Sequence, residues 1–79
     1  MNALTRNQRT VLELMRHQPR IVKGIVDASW SRSRDTGHFS WDQVHSILRR
    51  LEDRGLARRA ATRPTLWELT TAGRKELGA

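Results

Sequence analysis

The sequence predicts a mainly α-helical fold with one small β-hairpin, in the order helix, helix, helix, strand, strand, helix. Three observations predict it. Capping-box patterns precede two apolar stripes at helical spacing, a glycine ends the third helix, and two strand-like runs follow it around a short polar connector. A length of 79 residues is enough for one domain, and we expect residues 1–79 to form it.

The first helix is predicted over about residues 5–17. Thr5 and Gln8 have the spacing of a capping box, in which each side chain bonds the other residue's backbone N–H. Pro19 disfavours helical backbone at the residue before it and so limits the helix. The apolar stripe at helical spacing contains Val11, Leu12, Leu14 and Met15.

The second helix is predicted over about residues 21–30, although its first residue or two can be extended. Gly24 lies inside it and weakens it by about 1 kcal/mol relative to alanine. Residues 31–39 are polar and basic, contain Gly37 and lack periodicity, so they are interpreted as a loop. This loop would carry Arg32 and Arg34.

The third helix, residues 40–54, has start and stop signals that are independent of each other. Ser40 and Gln43 form a second capping box. Gly55 supplies the left-handed residue that ends a helix, and Leu56 can contact the apolar stripe as in a Schellman motif. That stripe contains Val44, Ile47, Leu48 and Leu51.

The hairpin, or wing, is predicted over residues 56–69. Residues 56–61 and 65–69 are strand-like, and the connector 62–64 is turn-like with a cation at its tip. A last helix over about residues 71–77 would be capped by Thr70 or Thr71. A hairpin that directly follows a three-helix unit is the layout of a winged helix-turn-helix domain.

The charge balance favours a polyanionic partner. Fifteen Lys and Arg residues oppose eight Asp and Glu, which gives a formal net charge of +7. An excess this large in a short chain points first to nucleic acid. Of the cations, only Lys23 and Lys75 are not arginine, and arginine matches phosphates and guanine edges well.

Three stretches resemble the DNA-binding domains of MarR-type and PadR-type transcriptional regulators. Residues 44–59, with Leu-x-x-x-Gly-Leu, are similar to the junction between their recognition helix and wing. Residues 67–77, with Leu-Thr-x-x-Gly, are similar to the segment after the wing, and residues 4–14 to the first helix. The loop 31–39 is longer than the family's usual turn, and the family's long dimerisation helices have no counterpart here.

In this layout the third helix would enter the major groove of double-stranded DNA. Gln43 could recognise adenine and Arg49 guanine, with the wing-tip Arg63 in or near the minor groove. The alternatives are that Gln43 acts only in the capping box and that Arg49 and Arg50 pair with Glu52 or Asp53. Trp41 is expected to pack on the second helix in preference to stacking or binding protein. The candidate DNA-binding residues are Arg32, Arg34, Ser40, Trp41, Gln43, His45, Ser46, Arg49, Arg50, Arg58, Arg59 and Arg63.

Several other classes are not supported by the sequence. There is no Cys, and His17, His38 and His45 lack metal-ligand spacing, so no metal or other cofactor is expected. No phosphate-binding glycine loop or catalytic triad pattern occurs, so we expect no enzyme activity and no small-molecule ligand. No apolar run has the length of a signal peptide or membrane span, which predicts a cytoplasmic protein without membrane contact.

Two questions stay open at the level of sequence. The first is function: the alternative to a DNA-binding regulator is a winged helix used as a protein-interaction module, such as a phage-encoded inhibitor or an assembly subunit. The second is assembly: a homodimer through the first and last helices would use the spare apolar residues Met1, Leu4 and Leu77.

Overall fold

The computed structural model describes residues 4–32 and 39–78, and the side chains of residues 30–32 lie outside that description. Its elements are α1 (Arg6–Leu14), β1 (Arg20–Ile21), α2 (Val22–Arg32), α3 (Trp41–Asp53), β2 (Ala57–Thr62), β3 (Thr65–Leu69) and α4 (Thr71–Glu76). The predicted order of helices and hairpin strands is confirmed. The two-residue strand β1 is an addition to it.

Helix α1 begins as predicted and ends three residues earlier than predicted. The Thr5 hydroxyl accepts from the backbone N–H of Gln8, and the Gln8 side chain accepts from the backbone N–H of Thr5, so the capping box is present. At the other end, Met15 and Arg16 donate to carbonyls three residues back. These i→i+3 bonds tighten the last turn and release the chain well before Pro19.

Helix α2 is shifted relative to its predicted bounds. Residues 22–30 are helical as predicted, whereas Ile21 is extended and pairs with Leu66 of the hairpin, in line with the expectation of an extended start. The helix continues to Arg32, and placing that residue in a loop was therefore wrong. Serine and arginine tolerate helical backbone, so the loss of apolar periodicity after Trp30 did not mark the helix end.

Helix α3 is fixed at both ends by the predicted signals. Ser40 and Gln43 form the second capping box. Gly55 has φ +75°. Its N–H donates to Glu52 and that of Leu56 to Leu51, which are the two hydrogen bonds of a Schellman motif.

The sheet has three antiparallel strands in the order β1-β3-β2, so the second hairpin strand is central. Thr62 pairs with Thr65, which shortens the predicted connector to Arg63 and Pro64. The register shifts between Arg59 and Ala61. Strand β1 was missed because two residues are too few to show an alternating pattern.

The core lies where the helices meet the inner side of the sheet. Val11 and Leu12 of α1, Ile25 of α2 and Leu48 of α3 are fully buried there. Trp67 on β3 is 3% exposed and belongs to this core. Three packed helices with a hairpin after the third constitute a winged helix, as the sequence predicted.

Candidate nucleic-acid interface

The outer face of α3 carries the polar side chains that the sequence singled out. With Val44, Leu48 and Leu51 buried, the helical period turns the intervening residues to solvent. His45, Ser46, Arg49 and Arg50 are all exposed. Within the described residues neither Arg49 nor Arg50 forms an ion pair, so their predicted alternative partners, Glu52 and Asp53, are not engaged with them.

The two capping residues on this face are held by the helix terminus. The Gln43 side-chain oxygen accepts from the Ser40 N–H at 2.9 Å, and the Ser40 hydroxyl accepts from the Gln43 N–H at 3.2 Å. The Gln43 amide NH₂ makes no hydrogen bond within the described residues, and its oxygen retains a second lone pair. Gln43 can therefore cap the helix and still offer a donor and an acceptor to a base edge.

Trp41, the first residue of α3, is 50% exposed. Half of its surface is thus open to solvent, and packing on the second helix stays a prediction for the other half. Its helical position points to the same side as Leu48, but it lies one turn before the first core residue, Val44. Helical phase alone does not bury a side chain at a helix end, because a neighbouring element must extend far enough to cover it.

The hairpin turn places Arg63 at the tip of the wing. Arg63 and Pro64 connect β2 to β3, and both are exposed. No ion pair of Arg63 occurs within the part of the chain that the structure describes. The guanidinium is thus available to an anionic partner, as the sequence predicted.

Arg58 is held by an acidic neighbour on the adjacent strand. It lies opposite Glu68 in the β2–β3 register, and its Nε donates to the Glu68 carboxylate. The Arg58 side chain of this pair is exposed to solvent, whereas that of Glu68 is largely covered. Arg58 can reach a phosphate only by sharing or leaving this carboxylate.

Arg59 has two intramolecular partners. Its Nε lies 3.3 Å from a carboxylate oxygen of Glu52 at the end of α3. Its guanidinium carbon lies 5.2 Å from the ring centroid of Trp67, within cation–π range. Arg59 therefore joins α3, β2 and β3. The sequence analysis did not predict this role for Arg59, nor the pairing roles of Glu52 and Glu68.

The structure thus brings most of the predicted site together, but not all of it. The α3 residues, the tip Arg63 and the paired Arg58 and Arg59 belong to adjoining elements. Arg32 is in the last turn of α2, its side chain lies outside the description, and Arg34 lies outside the described residues. Opposite charges at i and i+10 along the hairpin were the available signal for the Arg58–Glu68 pair.

Among the described residues, no group of three or more His, Asp or Glu side chains is placed to hold a metal ion. In that same part of the chain, none of the helices combines the length and apolar character needed to span a membrane.

Comparison with known proteins finds a solved structure with a similar fold. No family model and no curated protein matches the sequence. A solved structure described as a probable transcriptional regulator from Pseudomonas aeruginosa matches with a TM-score of 0.76 and 27% sequence identity. The match covers 96% of this chain and 55% of that one, so the chain spans about half the length of its relative. In fold, the chain is similar to part of that protein.

Proposed function

We propose that this chain is a sequence-specific binder of double-stranded DNA that acts in transcription regulation and has no catalytic role. The observation that carries the proposal is the solvent-facing side of α3, where Gln43 and Arg49 stand beside a wing tipped by Arg63. The similarity to a probable transcriptional regulator supports it. The Leu-x-x-x-Gly-Leu and Leu-Thr-x-x-Gly signals support kinship with MarR-type and PadR-type regulators.

In the proposed complex, α3 lies in the major groove, which is about 12 Å wide and admits one helix. Gln43 offers an amide to adenine and Arg49 a planar fork to guanine. His45 and Ser46 contact bases or phosphates. Arg50 and Arg63 neutralise phosphates, which fixes the register without recognising sequence.

Positioning and recognition predict different responses to substitution. Arg63→Ala should weaken binding to all duplexes alike and reduce the salt slope, d log K/d log[salt], by about one in magnitude. Arg63→Lys is the matched control: it keeps the charge and should retain most of the affinity. Fluorescence anisotropy across a salt series measures both.

Gln43 provides the test of recognition. Gln43→Glu keeps a side-chain oxygen for the capping box but removes the amide donor that adenine recognition needs. The added charge repels every duplex equally, so the informative quantity is the ratio of affinities between preferred and altered sequences. We expect this ratio to fall by about tenfold. An unchanged ratio would exclude a base contact by Gln43.

The exposed Trp41 favours a second candidate, a winged helix that binds another protein. Aromatic side chains are enriched at protein interfaces, and this one is half-exposed at the start of α3. Trp41→Ala separates the two functions, because it should abolish protein capture under this candidate and leave the salt dependence of duplex binding unchanged. Tight duplex binding without any stable protein partner would exclude it.

A further inference from the structure

A second cationic surface lies on α1 and α4, away from the outer face of α3. We name it the α1–α4 face; its cations are Arg6, Arg9, Arg16, Arg74 and Lys75. In α1, positions 6 and 9 lie on one side of the helix by its 3.6-residue period, and Arg16 follows in the turn after it. All five side chains are exposed.

Two hydrogen bonds fasten the α1 part of this face to the α4 part. Arg9 donates to the carbonyl of Glu76 at 3.5 Å, and Arg74 donates to the carbonyl of Arg16 at 3.4 Å. The bonds go to neutral carbonyls, so they orient the two guanidinium groups without cancelling their charge. The cations of α1 and those of α4 therefore lie on adjoining parts of the molecular surface.

The charge balance of this face differs from that of the α3–wing face. Among the described residues of the α1–α4 face, the five cations are accompanied by two carboxylates, those of Glu13 and Glu76. The α3–wing face comprises the charged residues of α3, its C-cap and the hairpin, and four carboxylates stand there among six arginines: Asp42, Glu52, Asp53 and Glu68 among Arg49, Arg50, Arg54, Arg58, Arg59 and Arg63. The uncompensated charge is thus greater on the surface that the proposed function leaves unused.

The two faces point in different directions. Val11 and Leu12 on the inner side of α1 are fully buried where α1 packs on α2 and α3. Arg6 and Arg9 lie on the other side of α1, so α1 itself separates them from the outer face of α3. The molecule measures 32 × 28 × 21 Å, whereas duplex DNA is stiff over about 500 Å. One straight duplex cannot contact both faces.

We infer that the α1–α4 face binds the phosphate backbone of a second nucleic-acid duplex without regard to its sequence, so that one chain can bridge two duplex segments. This inference rests on the proposed function for the first segment. Arg6 and Arg9 lie about 4.5 Å apart along α1, and Arg16 follows the end of this helix, which is about 12 Å long; a duplex presents about seven phosphate charges over that length. The regular spacing of phosphates suits such a row of cations.

The chemistry of the face favours a duplex over an acidic protein. Protein interfaces have an apolar, often aromatic centre. The apolar neighbours here, Leu4 and Leu77, are partly buried and pack against the core. In the described part of the chain, the exposed large hydrophobic residue is Trp41, which lies on α3.

The test is a bridging assay with the full chain. One duplex carrying the preferred sequence is immobilised, protein is added, and capture of a second, labelled duplex of unrelated sequence is measured at about 0.1 M salt. The first variant is Arg6→Gln/Arg16→Gln/Lys75→Gln, which leaves Arg9 and Arg74 and their hydrogen bonds in place. The matched control is Arg49→Gln/Arg50→Gln/Arg63→Gln, with the same charge change on the other face. Thermal melting verifies that both variants fold.

We expect the wild-type chain to capture the second duplex and the first variant to capture at least tenfold less, with its affinity for the immobilised duplex within about threefold because screening limits remote charges to about 10 Å. The control variant should lose its preference for the immobilised sequence. Two results would overturn the inference. In the first, the first variant still bridges. In the second, the wild type captures no second duplex but binds polyglutamate, which serves as the probe for an acidic protein partner. If the control variant keeps full sequence preference, it is the proposed function that fails.

Discussion

Glu68 and Glu52 determine how much of the wing's positive charge is available to a partner. Each carboxylate pairs with one arginine of β2, whereas Arg63 at the tip has no such partner in the described part of the chain. Exposed ion pairs of this kind contribute about 1 kcal/mol or less to stability. Their larger effect is on binding, because a paired arginine must share or give up its carboxylate when it neutralises a phosphate.

The substitution Glu68→Gln tests this at the level of a single residue. It frees Arg58, so duplex affinity at low salt should rise about threefold or more and the salt slope should steepen by about one. Asp53→Asn is the control, since it removes the same charge from an exposed α3 residue without an ion pair in the described structure. Equal effects of the two substitutions would show that net charge alone matters, not release of Arg58.

At the level of elements, the Leu-Thr-x-x-Gly segment fixes the position of α4 relative to the hairpin and the end of α3. The Thr70 hydroxyl donates to the carbonyl of Gly55 and accepts from the N–H of Gly73, capping α4 while tying it to the end of α3. Gly73 is buried against the backbone of Leu56, and a Cβ at position 73 would overlap the Leu56 carbonyl oxygen. The motif therefore has a structural reason that is independent of any ligand.

Two identical glycine substitutions should have opposite effects on stability. Gly73→Ala should lower the free energy of unfolding by about 2 kcal/mol or more, because the obstructing atom is backbone. Gly24→Ala in α2 should raise it by about 0.5–1 kcal/mol, since a Cβ there would meet only ordinary contacts at 3.9 Å with Arg20 and Ile21 of β1. Urea denaturation of both variants gives the comparison. Similar free energies of unfolding for the two variants would contradict the close contact assigned to Gly73.

Helix ends and strands differed in how well the sequence predicted them. Thr5, Ser40 and Gly55 act through hydrogen bonds to residues within a few positions, so local pattern was sufficient for the start of α1 and for both ends of α3. Strand β1 exists only because β3 is beside it, and such tertiary pairing leaves no trace in two residues. The end of α2 at Arg32 was missed for a different reason, since apolar periodicity stops before helical backbone does.

The candidate site shows the same division. Exposure of Arg49 and Arg50 followed from helical period alone, whereas the contacts of Arg59 with Glu52 and Trp67 join three elements and needed the fold. Exposure of Trp41 likewise depends on how far its neighbours extend, which helical period does not encode.

At the scale of the whole molecule, the distribution of charge bears on self-association. A symmetric dimer through α1 and α4 would bring Arg6, Arg9 and Lys75 of two copies together, with Leu4 and Leu77 already packed on their own core. Repulsion between these faces is strongest at low salt. We expect sedimentation at about 50 mM salt to give the mass of one chain. A dimer under those conditions would contradict this account of the α1–α4 face.

The central claim is that the outer face of α3 recognises a DNA sequence. Selection of bound duplexes from a random pool tests it most directly, with the wild-type chain and Arg49→Ala compared at about 0.1 M salt. The claim predicts an enriched site for the wild type, and loss of preference at one position, a guanine, for the variant. Failure of the wild type to retain any duplex, or enrichment of the same site by both proteins, would contradict it.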